Sequence, residues 1–195
     1  MSKRNADYTA FVGAHRVASG PLEEVALALK RRLRQDPTIA ALVFDDETGR
    51  PIDLDLRGTD EAIVQRLVDH PLLRPKPQGR APGRPKLGVV AREVTLLPRH
   101  WDWLNGQPGG ASVVLRRLVD EARHASPVAD RVRRAREATY RFMTAVAGNE
   151  AGYEEATRAL FAGDRERYDA HIDGWPADVR SYATRLSLDA FEEEP

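Results

Sequence analysis

The sequence predicts an α+β protein, and three observations predict it. Short apolar runs with strand character fall in the first third, apolar residues recur at helical spacing through the last third, and five prolines between 71 and 85 interrupt the chain between them. The expected order is a small N-terminal ββαββα unit over 1–70, then a Pro/Gly-rich basic linker over 71–86. A strand-helix-helix segment over 87–125 follows, and a C-terminal helical bundle over 126–195.

Tyr8-Thr9-Ala10-Phe11-Val12 and Arg16-Val17-Ala18 read as paired strands turning through Gly13-Ala14-His15. Pro21 opens a helix, because its missing N–H has no partner in a first turn anyway. Leu22, Val25, Ala26, Leu29 and Leu33 share one helical face, with Lys30, Arg31, Arg32 and Arg34 mostly off it. Asp36-Pro37 stops that helix. Ala41-Leu42-Val43-Phe44 and Ile52-Asp53-Leu54-Asp55-Leu56 flank a Gly-containing loop and form a second hairpin. Thr59 starts another helix, with Ala62, Ile63, Leu67 and Val68 as its stripe.

The prolines of residues 71–86 exclude a regular helix and favour extended backbone. Residues 87–97 then have strand composition, and Pro98 opens a short helix through Asn105. Gly106-Gln107-Pro108-Gly109-Gly110 makes a turn, and a longer helix over 112–125 carries Val114, Leu115, Leu118, Val119 and Ala122 on one face. Ser126-Pro127 begins the helical remainder. Val132, Ala135, Thr139, Phe142, Met143 and Val146 form one stripe; Tyr153, Ala156, Leu160 and Phe161 form the next. Gly163-Asp164 is a helix stop followed by an N-cap. Tyr168 and Ile172 lie on a third helix, and Val179, Tyr182, Ala183 and Leu186 on a fourth; the acidic tail from Glu192 is expected to fray.

The 195 residues include 30 basic and 30 acidic side chains and no cysteine, which excludes disulfides, thiolate metal sites and cysteine nucleophiles. No apolar run approaches the roughly 18–20 residues of a membrane span, and the first 20 residues lack a secretory pattern. The expectation is a soluble cytoplasmic protein. The balanced charge averages three unlike segments. Residues 1–70 carry 10 basic and 12 acidic side chains, residues 71–136 carry 14 and 5, and residues 137–195 carry 6 and 13. Such asymmetry points either to nucleic acid or to internal pairing of the two signs.

Within the basic segment, Gly79-Arg80 and Pro82-Gly83-Arg84-Pro85-Lys86 resemble the AT-hook. In that motif Gly allows close approach to the minor groove, Pro keeps the chain extended and Arg meets the groove's negative potential. The departure is Pro82 where the hook has Arg, and a charged interdomain linker is the competing reading. Glu93-Val94-Thr95-Leu96-Leu97-Pro98, Trp101, Leu104, Gly110-Ala111-Ser112 and Leu115-Arg116-Arg117-Leu118-Val119 resemble the ribbon-helix-helix unit of small bacterial repressors. The resemblance implies a homodimer through the 87–97 strand, with the ribbon in the major groove. It also implies a phosphate at the start of the second helix, where Gly109, Gly110 and Ser112 leave the amides accessible. Alternation places Arg92, Val94 and Leu96 on one face and Glu93, Thr95 and Leu97 on the other; if Val94 and Leu96 face the core, Thr95 is the one ordinary base reader. The DNA-contacting set is thus Arg80, Arg84, Lys86, Arg92, Thr95, Arg99, Gly110 and Ser112. The rival is a protein-interaction or regulatory module in which the acidic C-terminal helices neutralise the basic segment.

The whole chain is similar to an uncharacterised bacterial family, domain of unknown function 2239. Phe11 to Pro21, Phe44-Asp45-Asp46, Asp53 to Gly58 and above all Gly83 to Leu104 carry the similarity. It implies a bacterial protein and supplies no catalytic residues.

Other chemistry has little support. Asp45, Asp46, Glu47, Asp53 and Asp55 make an acidic hairpin, but without the spacing of a cation loop they read as a solvated turn and a strand's polar face. His15, His70, His100, His124 and His171 form no ligand pair. Ser19 and Ser112 lack a nucleophile elbow, and no phosphate loop occurs. No catalytic residue, metal or cofactor is expected. Trp101 and Trp103 point about 100° apart on a helix, so either one packs inside and the other at a subunit seam, or both are partly buried.

Overall fold

The computed structural model describes residues 7–36, 39–68 and 92–192, with Ala125 described in backbone only. Its strands are β1 (Tyr8–Val12), β2 (His15–Gly20), β3 (Ala41–Asp45) and β4 (Pro51–Ile52). Its helices are α1 (Leu22–Gln35), α2 (Asp60–Val68), α3 (Pro98–Asn105), α4 (Ala111–Ala125), α5 (Pro127–Val146), α6 (Tyr153–Ala162), α7 (Arg165–Ile172) and α8 (Ala177–Leu186), followed by a 3-10 turn at Leu188–Phe191. The protein is therefore α+β, as predicted. The chain divides into two units, one built from 1–74 together with 128–195 and one from 75–127. The proline-rich segment 71–86, with Arg80, Arg84 and Lys86, lies outside the described residues.

The first unit is built on an antiparallel sheet of order β2-β1-β3-β4. Every residue of β1 is buried. Alternation sends Tyr8, Ala10 and Val12 to one face, against Leu22, Val25, Ala26 and Leu29 of α1 and Ile63 and Leu67 of α2. Phe11 and Phe44 point to the other face, among Phe142, Met143, Leu160, Tyr168, Ile172 and Tyr182 of α5 to α8. A strand covered on both faces needs apolar residues at successive positions. That is why β1 and β3 read as continuous runs rather than as clean alternations.

β4 is shorter than the 52–56 strand expected. The alternation of Ile52, Leu54 and Leu56 survives, and all three pack against the α1/α2 layer. However, Arg66 donates to the carbonyls of Asp55 and Arg57, and the Arg57 N–H donates to Asp55 Oδ1 at 3.1 Å. These bonds occupy backbone groups that a ladder needs. In α2, Val68 is 62% exposed and falls outside the expected stripe. Phe161 of α6 is 49% exposed and stacks edge-on against Tyr140 instead of entering the core.

Lys30 is a second correction. Helical spacing places it off the apolar face of α1, yet it is 7% exposed. Its Nζ donates to the Gly58 carbonyl at 2.7 Å and to Asp60 Oδ1 at 2.5 Å. The aliphatic stem follows the apolar surface while the ammonium ties α1 to the start of α2. The ammonium hydrogen bond also holds the Asp60 carboxyl below its ordinary value. That contribution is complete above the unfolded carboxylate value of about 3.9 and is lost as pH falls through the depressed folded value. Lys30→Met is expected to cost about 1.5–3 kcal/mol at pH 7 through the Gly58 bond alone. It should also flatten the acid limb of the stability curve. Urea unfolding of both proteins at pH 7 and pH 3 checks this, and parallel pH profiles would contradict it.

The helical layer follows its capping signals. Gly163 ends α6 with φ 75°, and Asp164 accepts from the Arg167 N–H at 3.0 Å to open α7. Trp175 Nε1 donates to the Ala151 carbonyl at 2.9 Å. The 3-10 turn, which periodicity did not predict, buries Ala190 and stacks Phe191 on Tyr168 at 5.3 Å.

Candidate nucleic-acid interface

Residues 75–127 carry nine basic and four acidic side chains. Pro98 at the first position of α3 sets its entry, and a Gly-rich turn reverses the chain into α4. Gly109 and Gly110 both take positive φ, at 86° and 75°, a conformation that costs an L-residue roughly 1–2 kcal/mol. No side chain caps α4, and Gly110 is its N-cap. A Cβ at Gly110 would meet nothing within 4 Å. The start of α4 is therefore open, with Ser112 exposed beside it. α3 and α4 pack through Leu104 and Val114, both 3% exposed.

Arg92, Thr95 and Arg99 are exposed. Residues 92–97, the described part of the expected 87–97 strand, join no sheet. They do not take strand conformation, and the Leu97 carbonyl accepts from the His100 and Trp101 amides at the start of α3. Val94 is 53% exposed and Leu97 48%, whereas Leu96 is half-buried. Trp101 is half-buried and Trp103 is 52% exposed. Within this unit Arg117 lies 3.8 Å from Glu121 and Arg123 lies 3.9 Å from Asp120, all four groups well exposed. Contacts of that length in water are worth about 0–1 kcal/mol and leave the guanidiniums accessible.

The other described arginines of the basic segment sit on α5 and are engaged differently. Arg131 pairs with Glu192 at 2.6 Å, so the residue expected to fray is held. Arg136 Nε donates to the Ala190 carbonyl at 2.9 Å, and Arg133 pairs with Asp130 at 2.8 Å. Arg134 Nε donates to the Asp130 carbonyl at 3.0 Å. The positive segment thus splits: its α5 part is drawn partly into contacts with the C-terminal turn, and the arginines of residues 92–127 are exposed.

A cleft of about 510 Å³ in the first unit is lined by Asp46, Glu47, Arg131, Arg134, Arg185 and Asp189 among others. Its innermost acid, Asp46, accepts from the Tyr182 hydroxyl at 2.7 Å. Asp46 Oδ2 lies 2.8 Å from Arg185, an ion-pair contact without hydrogen-bond alignment. Arg185 also donates to Thr9 Oγ1 at 3.2 Å and lies over the Tyr182 ring. Burial and the Asp46 carboxylate push the Tyr182 hydroxyl far above its ordinary value, so it stays a neutral donor. These groups latch α8 to β1 and to the β3–β4 turn, residues up to 176 apart in sequence.

Two other acids of the hairpin, Asp45 and Asp55, are committed to local structure. Asp45 accepts from the Glu47 and Thr48 amides at 3.0 and 2.7 Å, an Asx turn. Asp55 is bound by Arg57, which holds its carboxyl well below the usual range. Among the described residues no three His, Asp or Glu side chains converge as metal ligands. No helix there is long and apolar enough to cross a membrane.

No curated protein and no solved structure matches the chain. One family does, described as an uncharacterized protein conserved in bacteria, and its match runs from residue 7 to residue 187. With nearly the whole chain covered, including the sheet, the basic helix pair and the helical layer, the protein belongs to the bacterial DUF2239 family.

Proposed function

We propose that the chain is a DNA-associated protein that grips duplex phosphates through residues 75–127. The observation that carries this reading is the exposed set Arg92, Arg99, Arg116, Arg117 and Arg123 in a segment with a basic excess. Arg80, Arg84 and Lys86 extend the set into the AT-hook-like stretch, and Thr95 supplies a neutral polar contact. The open, glycine-capped start of α4 at Gly110 and Ser112 supports it, since unsatisfied amides and the helix dipole favour an anion there. Pairing of two 87–97 segments into a ribbon belongs to the same reading. Glu93 opposes close approach to phosphate, so the grip is on backbone more than on base edges.

Phosphate neutralisation releases condensed counterions, so affinity must fall with salt at a slope of about 0.9 per contact. With six or more contacts, binding to a generic duplex should weaken at least roughly 10³-fold between 50 and 200 mM salt. A fluorescence-anisotropy titration of labelled duplex measures this. A flat response, or no binding at about 50 mM, would sink the proposal.

The second reading, a protein-interaction module with internally neutralised charge, is favoured by the Arg131–Glu192 pair and the Arg136–Ala190 bond. Those contacts account for arginines of α5, whereas Arg116, Arg117 and Arg123 keep exposed side chains.

A further inference from the structure

Trp103 is the most exposed aromatic side chain among the described residues, at 52%. Tryptophan is ordinarily well buried with its N–H bonded, and Trp175 is so: it is 4% exposed, and its Nε1 donates to the Ala151 carbonyl. The other two exposed aromatics, Tyr140 and Phe161, cover each other edge-on with centroids 5.6 Å apart. Trp103 has no such cover. Among the described residues no ring stacks on its indole, no guanidinium lies over it and no acceptor takes its Nε1–H.

The groups around the ring identify what fits it. At about 100° per residue, Arg99 lies about 40° from Trp103 around α3 and His100 about 60°. Asp102 and the core-facing Leu104 are each about 100° away. Arg99 and His100 are exposed, and the Arg99 guanidinium forms no ion pair among the described residues. Positions four apart on a helix set their Cβ atoms about 5–6 Å from each other. An uncovered aromatic face thus stands beside an unpaired cation, in a segment with nine basic and four acidic side chains. That combination matches a polyanion carrying a flat ring beside each charge, a nucleotide chain with its base on the indole and its phosphate on the guanidinium. An acidic peptide would supply the charge without the ring. In a duplex every base is already paired and stacked on its neighbours, so an indole reaches a base face only by unstacking it. In a single strand the faces are free.

We infer that Trp103 is a base-stacking platform and that unpaired bases of single-stranded DNA are its ligand, with Arg99 on the adjoining phosphate. The inference rests on the DNA reading above for its phosphate contacts and adds to it the strandedness of the partner.

Isothermal titration of the full-length chain at about 50 mM salt compares three polyanions: an oligothymidine of about 20 nucleotides, a duplex of the same length, and inorganic polyphosphate, which has charge but no bases. Trp103→Ala should weaken oligothymidine binding about 5- to 100-fold, the range for one stacked base, and leave the other two within about twofold. Its salt slope should not change, because no phosphate contact is lost. Trp103→Phe should keep most of the affinity. It should also abolish most of the quenching of indole emission that oligothymidine causes and polyphosphate does not. Arg99→Ala should weaken all three and lower the salt slope by about one contact. Unchanged oligothymidine binding by Trp103→Ala, or an equal loss for all three polyanions, overturns the platform and leaves the phosphate grip standing. Failure of the unaltered chain to bind any of the three removes the DNA reading, and the platform with it.

Discussion

Phe142→Ala is expected to destabilise the chain by about 3–5 kcal/mol, the range for truncating a buried aromatic. Phe142 is fully buried, and its ring contacts those of Phe11 at 5.3 Å, Phe44 at 5.1 Å and Tyr182 at 4.5 Å, tilted or edge-on. Phe11 and Phe44 come from the sheet, Phe142 and Tyr182 from α5 and α8. The cluster therefore joins one sheet face to the helices that cover it, and its truncation leaves a cavity bounded by side chains that cannot all collapse inward. For a chain of this length the loss corresponds to a fall in Tm of roughly 2–4 °C per kcal/mol. Calorimetry alongside Leu188→Ala, which removes a side chain that is 56% exposed, measures the difference. A loss below about 1 kcal/mol for Phe142→Ala would mean that this face of the sheet is not packed as described.

Gly49→Ala is expected to cost about 2–5 kcal/mol for a different reason. Gly49 lies in the β3–β4 hairpin at φ 63°, and a Cβ there would fall 2.7 Å from the carbonyl carbon and 2.8 Å from the Cα of Ala138, in the middle of α5. Those atoms belong to a helix backbone and cannot swing aside, so the hairpin must move. The left-handed conformation contributes roughly 1–2 kcal/mol and overpacking roughly 1–3 kcal/mol. Gly13→Ala separates the two contributions. It has φ 57° with nothing within 4 Å of its added Cβ, so it carries the conformational cost alone. Equal losses in the two variants, read from urea midpoints, would show that the hairpin does not abut α5.

The charge of the chain also has a structural explanation. Outside residues 75–127 there are 21 basic and 26 acidic side chains. In the unit they form, guanidiniums are held by specific acceptors, as in the pairs Arg131–Glu192, Arg141–Glu137 and Arg185–Asp46. The excess positive charge is concentrated in residues 75–127, where the described arginines are exposed. The formal neutrality of the sequence is thus the sum of a slightly acidic part and a basic part, residues 75–127.

The sequence by itself determined what is local. Helix spacing, Pro at helix starts, Gly163-Asp164 between α6 and α7, and the glycine turn before α4 located the elements, since each depends on residues a few positions apart. The ββαββα order and the α+β class followed from those signals. The similarity over Gly83 to Leu104 was legible in the same way and pointed to the family.

Tertiary structure decided what depends on distant partners. Lys30 looks like a solvent-facing lysine until Gly58 and Asp60 are brought to it. Asp46 looks like one acid of a solvated loop until Tyr182 and Arg185, more than 130 residues away, converge on it. The continuous apolar runs of β1 and β3 have meaning only once both sheet faces are seen to be covered. For the candidate interface, local pattern named the residues, and among those described Arg92, Thr95, Arg99 and Ser112 are exposed. A stripe at helical spacing states that a face is apolar and cannot state whether the fold covers it. On α1, α5 and α8 it does, because the sheet and neighbouring helices offer matching surfaces. On α4 Leu118 and Val119 are exposed, because the described neighbours, α3 above all, reach only Val114 and part of Leu115.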